Sequence, residues 1–120
     1  MGNLRFRKEE RLNRKKIMEE LFEKGSSFLV FPLKVIHKVH PDPTQTIHQI
    51  LISAPSKTFK KAVERNLVKR RIREGYRLNK ALLTFPKTLC VAYIYVAKEI
   101  LPSTTIHHSI KASLERLNKV

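Results

Sequence analysis

The sequence predicts an α+β fold, a single-domain α-β sandwich in which helices pack on a small, mostly antiparallel sheet. Three segments have the apolar period of amphipathic helices, and the runs between them are rich in β-branched and aromatic residues. A chain of 120 residues can bury one hydrophobic core comfortably. We therefore expect residues 1–120 to form one domain with the element order α-β-β-α-β-α.

The chain is predicted to begin with an arm and a short helix. Residues 1–10 mix basic residues with Leu4 and Phe6 and show no clear period, so we expect an arm held by one or two apolar contacts. The segment KKIMEELFEK follows, with Asn13 as the predicted N-cap and Gly25 as the stop.

Two strands are predicted next. The run FLVFPLKVIHKV, residues 28–39, favours extended structure, and Pro32, which has no N–H, is expected at a strand start, a bulge or an edge. HPDPTQ, residues 40–45, has the composition of a turn, and TIHQILISA follows as the next strand. We expect these two strands to pair as a hairpin.

The segment from Lys57 to Lys80 is predicted to form a long basic helix. It holds ten of the 25 Lys and Arg residues and only two Glu. Residues on one polar face follow each other at spacings of four, three and four: Asn66, Arg70, Arg73 and Arg77. Apolar residues on another side are predicted to be buried, namely Ala62, Val68, Ile72, Tyr76 and Leu83.

A central strand and a last helix complete the prediction. TLCVAYIYVA, residues 88–97, is almost continuously apolar, which is typical of a strand covered on both faces, and makes Cys90 a buried thiol. The last helix is predicted to begin at a cap within Ser103 to Thr105. Its buried residues recur at helical spacing: Ile106, Ile110, Leu114 and Leu117.

The charge of the chain indicates a polyanionic partner. A formal charge of +15 and a pI near 10.4 favour nucleic acid, and arginine suits bidentate contact with phosphate. The alternative for such a charge run is a solvated helix surface. One cysteine and the lack of an apolar run of membrane length lead us to expect a cytoplasmic location and no membrane partner.

Catalytic chemistry finds little support in the sequence, and we predict no catalytic and no metal-ligating residue. Asp42 is the only aspartate, and no Gly-rich phosphate loop is present. His37 and His48 could act as general base and acid across the hairpin, in an autonomous metal-free ribonuclease. The alternative is two half-exposed strand histidines without a ligand.

An apolar trough for unpaired bases is a further possibility. Met18, Phe22 and Ile36 could line it beside a basic rim, as single-stranded RNA sites require. At helical and strand spacing such residues also fit a place in the core.

Residues 56–77, SKTFKKAVERNLVKRRIREGYR, resemble the signature of the bacterial ribonuclease P protein subunit. The matching positions are Ser56, Lys57, Ala62, Val63, Arg65, Asn66, Lys69, Arg70, Ile72 and Arg73. Residues 11–25 resemble the opening helix of that family, with Arg11, Leu12, Phe22 and Gly25 in register. The sequence departs from the family pattern at Thr58, Lys60 and Leu67, the last in place of an arginine, and has Met18 where an aromatic residue is expected.

The resemblance implies a subunit that does not perform the chemistry. A catalytic RNA subunit would hydrolyse the phosphodiester at the 5′ end of mature tRNA, using magnesium bound by the RNA or the RNA–substrate complex rather than by protein alone. The protein would bind that RNA and the 5′ leader of precursor tRNA, and no DNA partner is expected. It also implies a left-handed crossover between parallel strands that flank the basic helix.

The charge stripe, the apolar trough and the resemblance together predict which residues contact RNA, with Lys60 replacing the charge absent at Thr58. Those facing the catalytic RNA would be Lys57, Lys60, Arg65, Asn66, Lys69, Arg70, Arg73 and Arg77. Those contacting the leader would be Arg11, Met18, Phe22 and Ile36. A ribosomal or other structural RNA-binding protein remains an alternative with the same charge and a similar fold.

Overall fold

The computed structural model describes residues 6–120 and confirms the α+β class. The predicted contact of Leu4 lies outside the described residues. The helices are α1 (Lys15–Lys24), α2 (Ala62–Asn79) and α3 (Ser103–Leu117), and the strands are β1 (Ser26–Val30), β2 (Leu33–Val39), β3 (Gln49–Ser53) and β4 (Leu89–Tyr95). Short 3-10 turns span Lys8–Glu10 and Lys80–Leu82.

One sheet holds all four strands in the order β1-β2-β4-β3. β1, β2 and β4 are antiparallel neighbours, so the sheet is mostly antiparallel as predicted, and β3 is parallel to β4. α2 joins these two parallel neighbours through the chain. The predicted hairpin between β2 and β3 is wrong because β4 lies between them.

The burial of β4 explains this correction. Every β4 residue except Ile94 is buried, so the strand needs cover on both faces and a neighbour on each side. Placing β4 at the edge, beside a β2–β3 hairpin, would leave this apolar strand partly open to water. The prediction of a central β4 is confirmed, and the hairpin prediction conflicted with it.

The structure also contains a strand that the prediction missed. β1 and β2 pair as a hairpin with Val30 opposite Leu33, so only Phe31 and Pro32 form the turn. The prediction treated residues 28–39 as one extended segment because both halves have the same composition. Pro32, expected at a strand start, a bulge or an edge, lies in the turn immediately before the start of β2.

Two apolar layers hold the sheet. α2 and α3 cover one face, where the buried residues of the last helix are those predicted: Ile106, Ile110, Leu114 and Leu117. α1 covers the other face, where Ile17 and Leu21 pack with Ile36, Cys90 and Ala92. The Cys90 thiol is core as predicted, and burial raises its pKa to about 11.

The helix boundaries differ from the prediction in small ways. α1 begins at Lys15 after Arg14, so Asn13 is not its cap, and α3 begins at Ser103 with Pro102 at the cap position. α1 ends at Gly25 as predicted. A Cβ at Gly25 would collide with the Leu21 carbonyl oxygen and lie 2.9 Å from Ile36 Cγ2, so only glycine fits this close approach.

The basic helix is shorter than the basic segment. α2 begins at Ala62, which was predicted to be buried but is exposed. Val68, Ile72 and Tyr76 are buried on the sheet, as predicted. Lys57 and Lys60 lie on the loop before α2. Phe59 anchors that loop, because its buried ring lies 5.7 Å from the ring of Tyr95.

No helix within residues 6–120 is both long enough and apolar enough to span a membrane.

Candidate nucleic-acid interface

Four of the ten Lys and Arg residues between Lys57 and Lys80 are engaged within the protein. Arg65 Nη1 donates to the carbonyl oxygens of Phe59 (2.7 Å) and Lys60 (2.9 Å), and Arg71 Nη1 donates to the Leu101 carbonyl oxygen (2.7 Å). These guanidinium groups donate hydrogen bonds to backbone carbonyl oxygens of loops outside α2. Arg65, predicted to contact RNA, therefore holds the lysine-bearing loop against the helix.

Two more cations near the end of α2 have acidic partners. Arg77 donates to both carboxylate oxygens of Glu74, and these hydrogen bonds lower the pKa of Glu74. Lys80 Nζ lies 2.8 Å from Oε1 of the buried Glu10. The fourth member of the predicted polar stripe, Arg77, is thus tied to its own helix.

Three cations on the exposed side of α2 remain available. Within the part of the chain that the structure describes, the side chains of Lys69, Arg70 and Arg73 make no hydrogen bond or ion pair. With Asn66 they form what we call the basic face. The four side chains line one shallow concavity of about 500 Å³ together with Val63 and Leu67, and no carboxylate is among its lining residues.

The basic face continues towards the edge of the sheet. A second concavity of about 230 Å³ shares Lys69 and Arg73 with the first and reaches Arg11. Arg11 stands next to β3, because it forms an isolated parallel bridge with Ile50 and the next residue, Leu12, donates its N–H to the Ile50 carbonyl oxygen. Arg11, predicted to bind the leader, is thereby brought beside two residues predicted to bind the catalytic RNA.

The other predicted leader residues lie elsewhere on α1 and beneath it. Phe22 is 48% exposed, and Met18 is half-buried; both line an open depression on α1 with Glu19 and Glu23. Ile36 is buried under α1 and supports this region from within the core. Arg11, Met18, Phe22 and Ile36 therefore do not share one cavity.

The two histidines considered for catalysis are not neighbours. His37 is on β2 opposite Val91, and its ring packs 5.6 Å from that of Phe28. His48 precedes β3 on the far side of β4, where its Nδ1 accepts a hydrogen bond from the Leu89 N–H (3.0 Å). The alternative of an autonomous ribonuclease assumed that β2 and β3 are paired, and β4 lies between them.

His48 makes stability depend on pH in a definite direction. Burial lowers its pKa from the ordinary 6.5, and its Nδ1 is occupied as an acceptor. As the pH falls, the unfolded chain therefore binds the proton first. The contribution of His48 is complete above the unfolded-state pKa and is lost as the pH falls through the folded-state pKa.

We therefore expect the urea midpoint of the wild-type protein to decrease between about pH 7.5 and about pH 5.5. His48→Asn, whose amide oxygen can still accept from Leu89 but does not titrate, is expected to weaken this dependence. His108→Asn is the control, because His108 is exposed on α3. An identical pH profile for His48→Asn and the wild type would contradict this prediction.

The described residues contain no group of three or more His, Cys, Asp or Glu side chains placed to hold a metal ion.

The concavity at the basic face also contains two apolar side chains, Val63 and Leu67, that the predicted polar stripe did not include. Val63 is 78% exposed, and Leu67 is half-buried beside it. The helical period contained the signal, because Val63 precedes the buried Ile72 by nine residues, about two and a half turns, and so faces the opposite side. The predicted stripe was drawn through polar residues only, which left this pair out.

Known proteins resemble this chain over nearly its full length. Residues 6–118 match the family model described as Ribonuclease P. A curated relative from Porphyromonas gingivalis ATCC 33277, named "Ribonuclease P protein component", is 33% identical over 115 residues, which cover 92% of this chain and 84% of the relative. The protein of the same name from P. gingivalis W83 has the same identity and coverage.

Solved structures agree in fold. The RNase P protein from Thermotoga maritima superposes with a TM-score of 0.72 at 25% identity, covering 89% of this chain and 96% of its own. A Staphylococcus aureus RNase P protein mutant, described as having defective mRNA degradation activity, superposes with a TM-score of 0.71 at 23% identity, covering 89% of this chain and 86% of its own. The matched family model, the curated relatives and this shared architecture lead to one conclusion: the chain belongs to the ribonuclease P protein family.

Proposed function

We propose that this protein is the protein subunit of ribonuclease P, an endoribonuclease that removes the 5′ leader of precursor tRNA. In this proposal it binds the catalytic RNA through the basic face of α2 and the leader beside the sheet. The RNA carries out phosphodiester hydrolysis with magnesium that it, or its complex with substrate, holds. The complex works in the cytoplasm.

The observation that carries the proposal is that some cations of α2 have partners within the protein and others do not. Arg65, Arg71 and Arg77 satisfy carbonyls and a carboxylate of the protein, whereas Lys69, Arg70 and Arg73 are grouped on a carboxylate-free surface without internal partners. Unpaired cations at close spacing repel one another unless a polyanion neutralises them. Phosphates of a structured RNA supply that charge at regular spacing.

The leader would cross from the basic face onto the sheet. Arg11 joins Lys69 and Arg73 at the edge of β3, and Leu51 and Ile94 form a half-buried apolar surface next to α1. Such a surface can contact unpaired bases while the adjacent cations hold their phosphates. Met18 borders the same apolar cluster, which supports a role for Met18 more directly than for Ile36 below it.

The proposal is tested by reconstitution. Precursor tRNA is incubated with the protein, with the ribonuclease P RNA of the same genome, and with both, at a magnesium concentration where the RNA alone is slow. We expect leader removal to be fastest in the mixture and absent with protein alone. A precursor that carries a single-nucleotide leader is the matched control, and the protein should improve its cleavage less.

Two results would contradict the proposal. Cleavage by the protein alone would favour an autonomous ribonuclease. A mixture no faster than the RNA alone, despite tight RNA binding, would favour a structural RNA-binding protein.

A further inference from the structure

The middle of the basic face contains an apolar pair that the core does not explain. Val63 is 78% exposed, the largest exposure among the large apolar side chains of residues 6–120, and Leu67 lies one turn further along α2. Both are on the side of α2 turned away from the buried Val68, Ile72 and Tyr76. A contiguous exposed apolar surface rimmed by polar residues is typical of an interaction site.

The surroundings of the pair restrict what could cover it. The concavity of about 500 Å³ is lined by Val63 and Leu67 together with Asn66, Lys69, Arg70 and Arg73. The amide of Asn66 is exposed and makes no side-chain hydrogen bond within the described chain. The site thus offers an apolar surface, one amide that can both donate and accept hydrogen bonds, and three cations around them.

An unpaired nucleobase matches these three features. Its faces are apolar and fit the two aliphatic side chains, its edge carries donors and acceptors for an amide, and a phosphate flanks it on each side. A basic peptide would be repelled by the three cations, and a purely apolar segment would leave Asn66 and the cations desolvated without partners.

We propose that this concavity receives one unpaired base of the RNA that α2 binds. Val63 and Leu67 contact the face of the base, Asn66 hydrogen-bonds its edge, and Lys69, Arg70 and Arg73 hold the neighbouring phosphates. Leu67, which stands where the family pattern has arginine, thereby exchanges a phosphate contact for a base contact. The inference rests on the proposed function, because the RNA in question is the catalytic RNA.

The first test separates base contact from charge. Val63→Ser and the double variant Val63→Ser/Leu67→Ser are titrated with the ribonuclease P RNA at several salt concentrations. We expect the double variant to bind roughly tenfold more weakly, since a base contact is worth about that factor. The slope of log K against log salt should stay unchanged, because no phosphate contact is removed. Leu78→Ser, at an exposed position of the same helix outside the concavity, is the matched control.

The second test looks for the base itself. Base-modifying reagents that together cover all four bases are applied to the RNA alone, to its complex with wild-type protein and to the complex with Val63→Ser/Leu67→Ser at saturating protein. We expect one or two unpaired positions to be protected by the wild type and to become reactive again with the double variant. Val63→Ser alone should show part of this effect, and its exposed position keeps the fold unaffected.

The outcomes distinguish this inference from the proposed function. If both variants bound the RNA as tightly as the wild type and protected the same bases, the base site would be overturned and the proposed function would stand. A loss of affinity accompanied by a reduced salt slope would also overturn it, because the pair would then be acting through phosphate contacts. Failure of the wild type to bind the RNA would overturn both.

Discussion

The double variant Arg70→Glu/Arg73→Glu is expected to bind the ribonuclease P RNA about a hundredfold more weakly at physiological salt. Both side chains belong to the basic face and have no partner within the described chain, so their replacement breaks no internal contact. Glutamate removes two phosphate contacts and adds two repulsive charges. The slope of log K against log salt should fall by about two units, one for each lost contact.

Filter binding between about 50 and 200 mM salt measures both quantities, since this range changes nucleic-acid affinity steeply. Lys111→Glu/Lys119→Glu is the matched control, because it makes the same change in net charge at exposed positions at α3 and beyond its end. An equal loss in this control would show that net charge alone matters. An unchanged salt slope in the Arg70→Glu/Arg73→Glu variant would remove the basic face from the interface.

Lys80→Met is expected to lower the free energy of unfolding by about 3 kcal/mol, the low end of the usual cost of removing one partner of a buried ion pair, because Glu10 keeps a longer ion pair with Arg7 Nε (3.6 Å). The side chain of Glu10 is 3% exposed and that of Lys80 is 17% exposed, and their ion pair spans 2.8 Å. Glu10 also accepts from the backbone N–H of Arg7 (3.0 Å), so it cannot turn towards water without breaking a second contact. A melting temperature lower by about 10 °C corresponds to this loss for a domain of this size.

Calorimetry or thermal denaturation followed by circular dichroism measures this loss. Glu10→Gln/Lys80→Met removes both charges and should recover part of the stability, because no unpaired carboxylate is left. Lys111→Met tests the loss of one exposed lysine and should change the melting temperature little. A Lys80→Met variant as stable as the wild type would show that Glu10 is adequately satisfied by Arg7.

The periodic features of the chain were predictable residue by residue. The four apolar residues of α3 are buried as predicted, and so are Val68, Ile72 and Tyr76 of α2, because a helix has a fixed period and its buried side follows from spacing. The resemblance of residues 56–77 to a family signature likewise depends only on local order. The family follows from the sequence for this reason, before any contact is known.

The pairing of strands was not predictable in the same way. β2 and β3 are adjacent in the chain and separated in the sheet, because β4 is apolar on both faces and occupies the central place. Local composition indicates that a segment is extended, whereas its neighbours depend on which arrangement buries the most apolar surface. The separation of His37 from His48 is a direct result.

The sequence by itself determined the α+β class, the basic helix and the family. The tertiary structure decided which cations of the basic segment are available, because apart from Arg77, which pairs with Glu74 on the same helix, their partners come from distant parts of the chain or from the loop before α2. Lys80 pairs with Glu10 seventy residues away, and Arg71 binds a carbonyl thirty residues away. Charge can be counted along a sequence, but its availability to RNA depends on contacts that form only when the chain is folded.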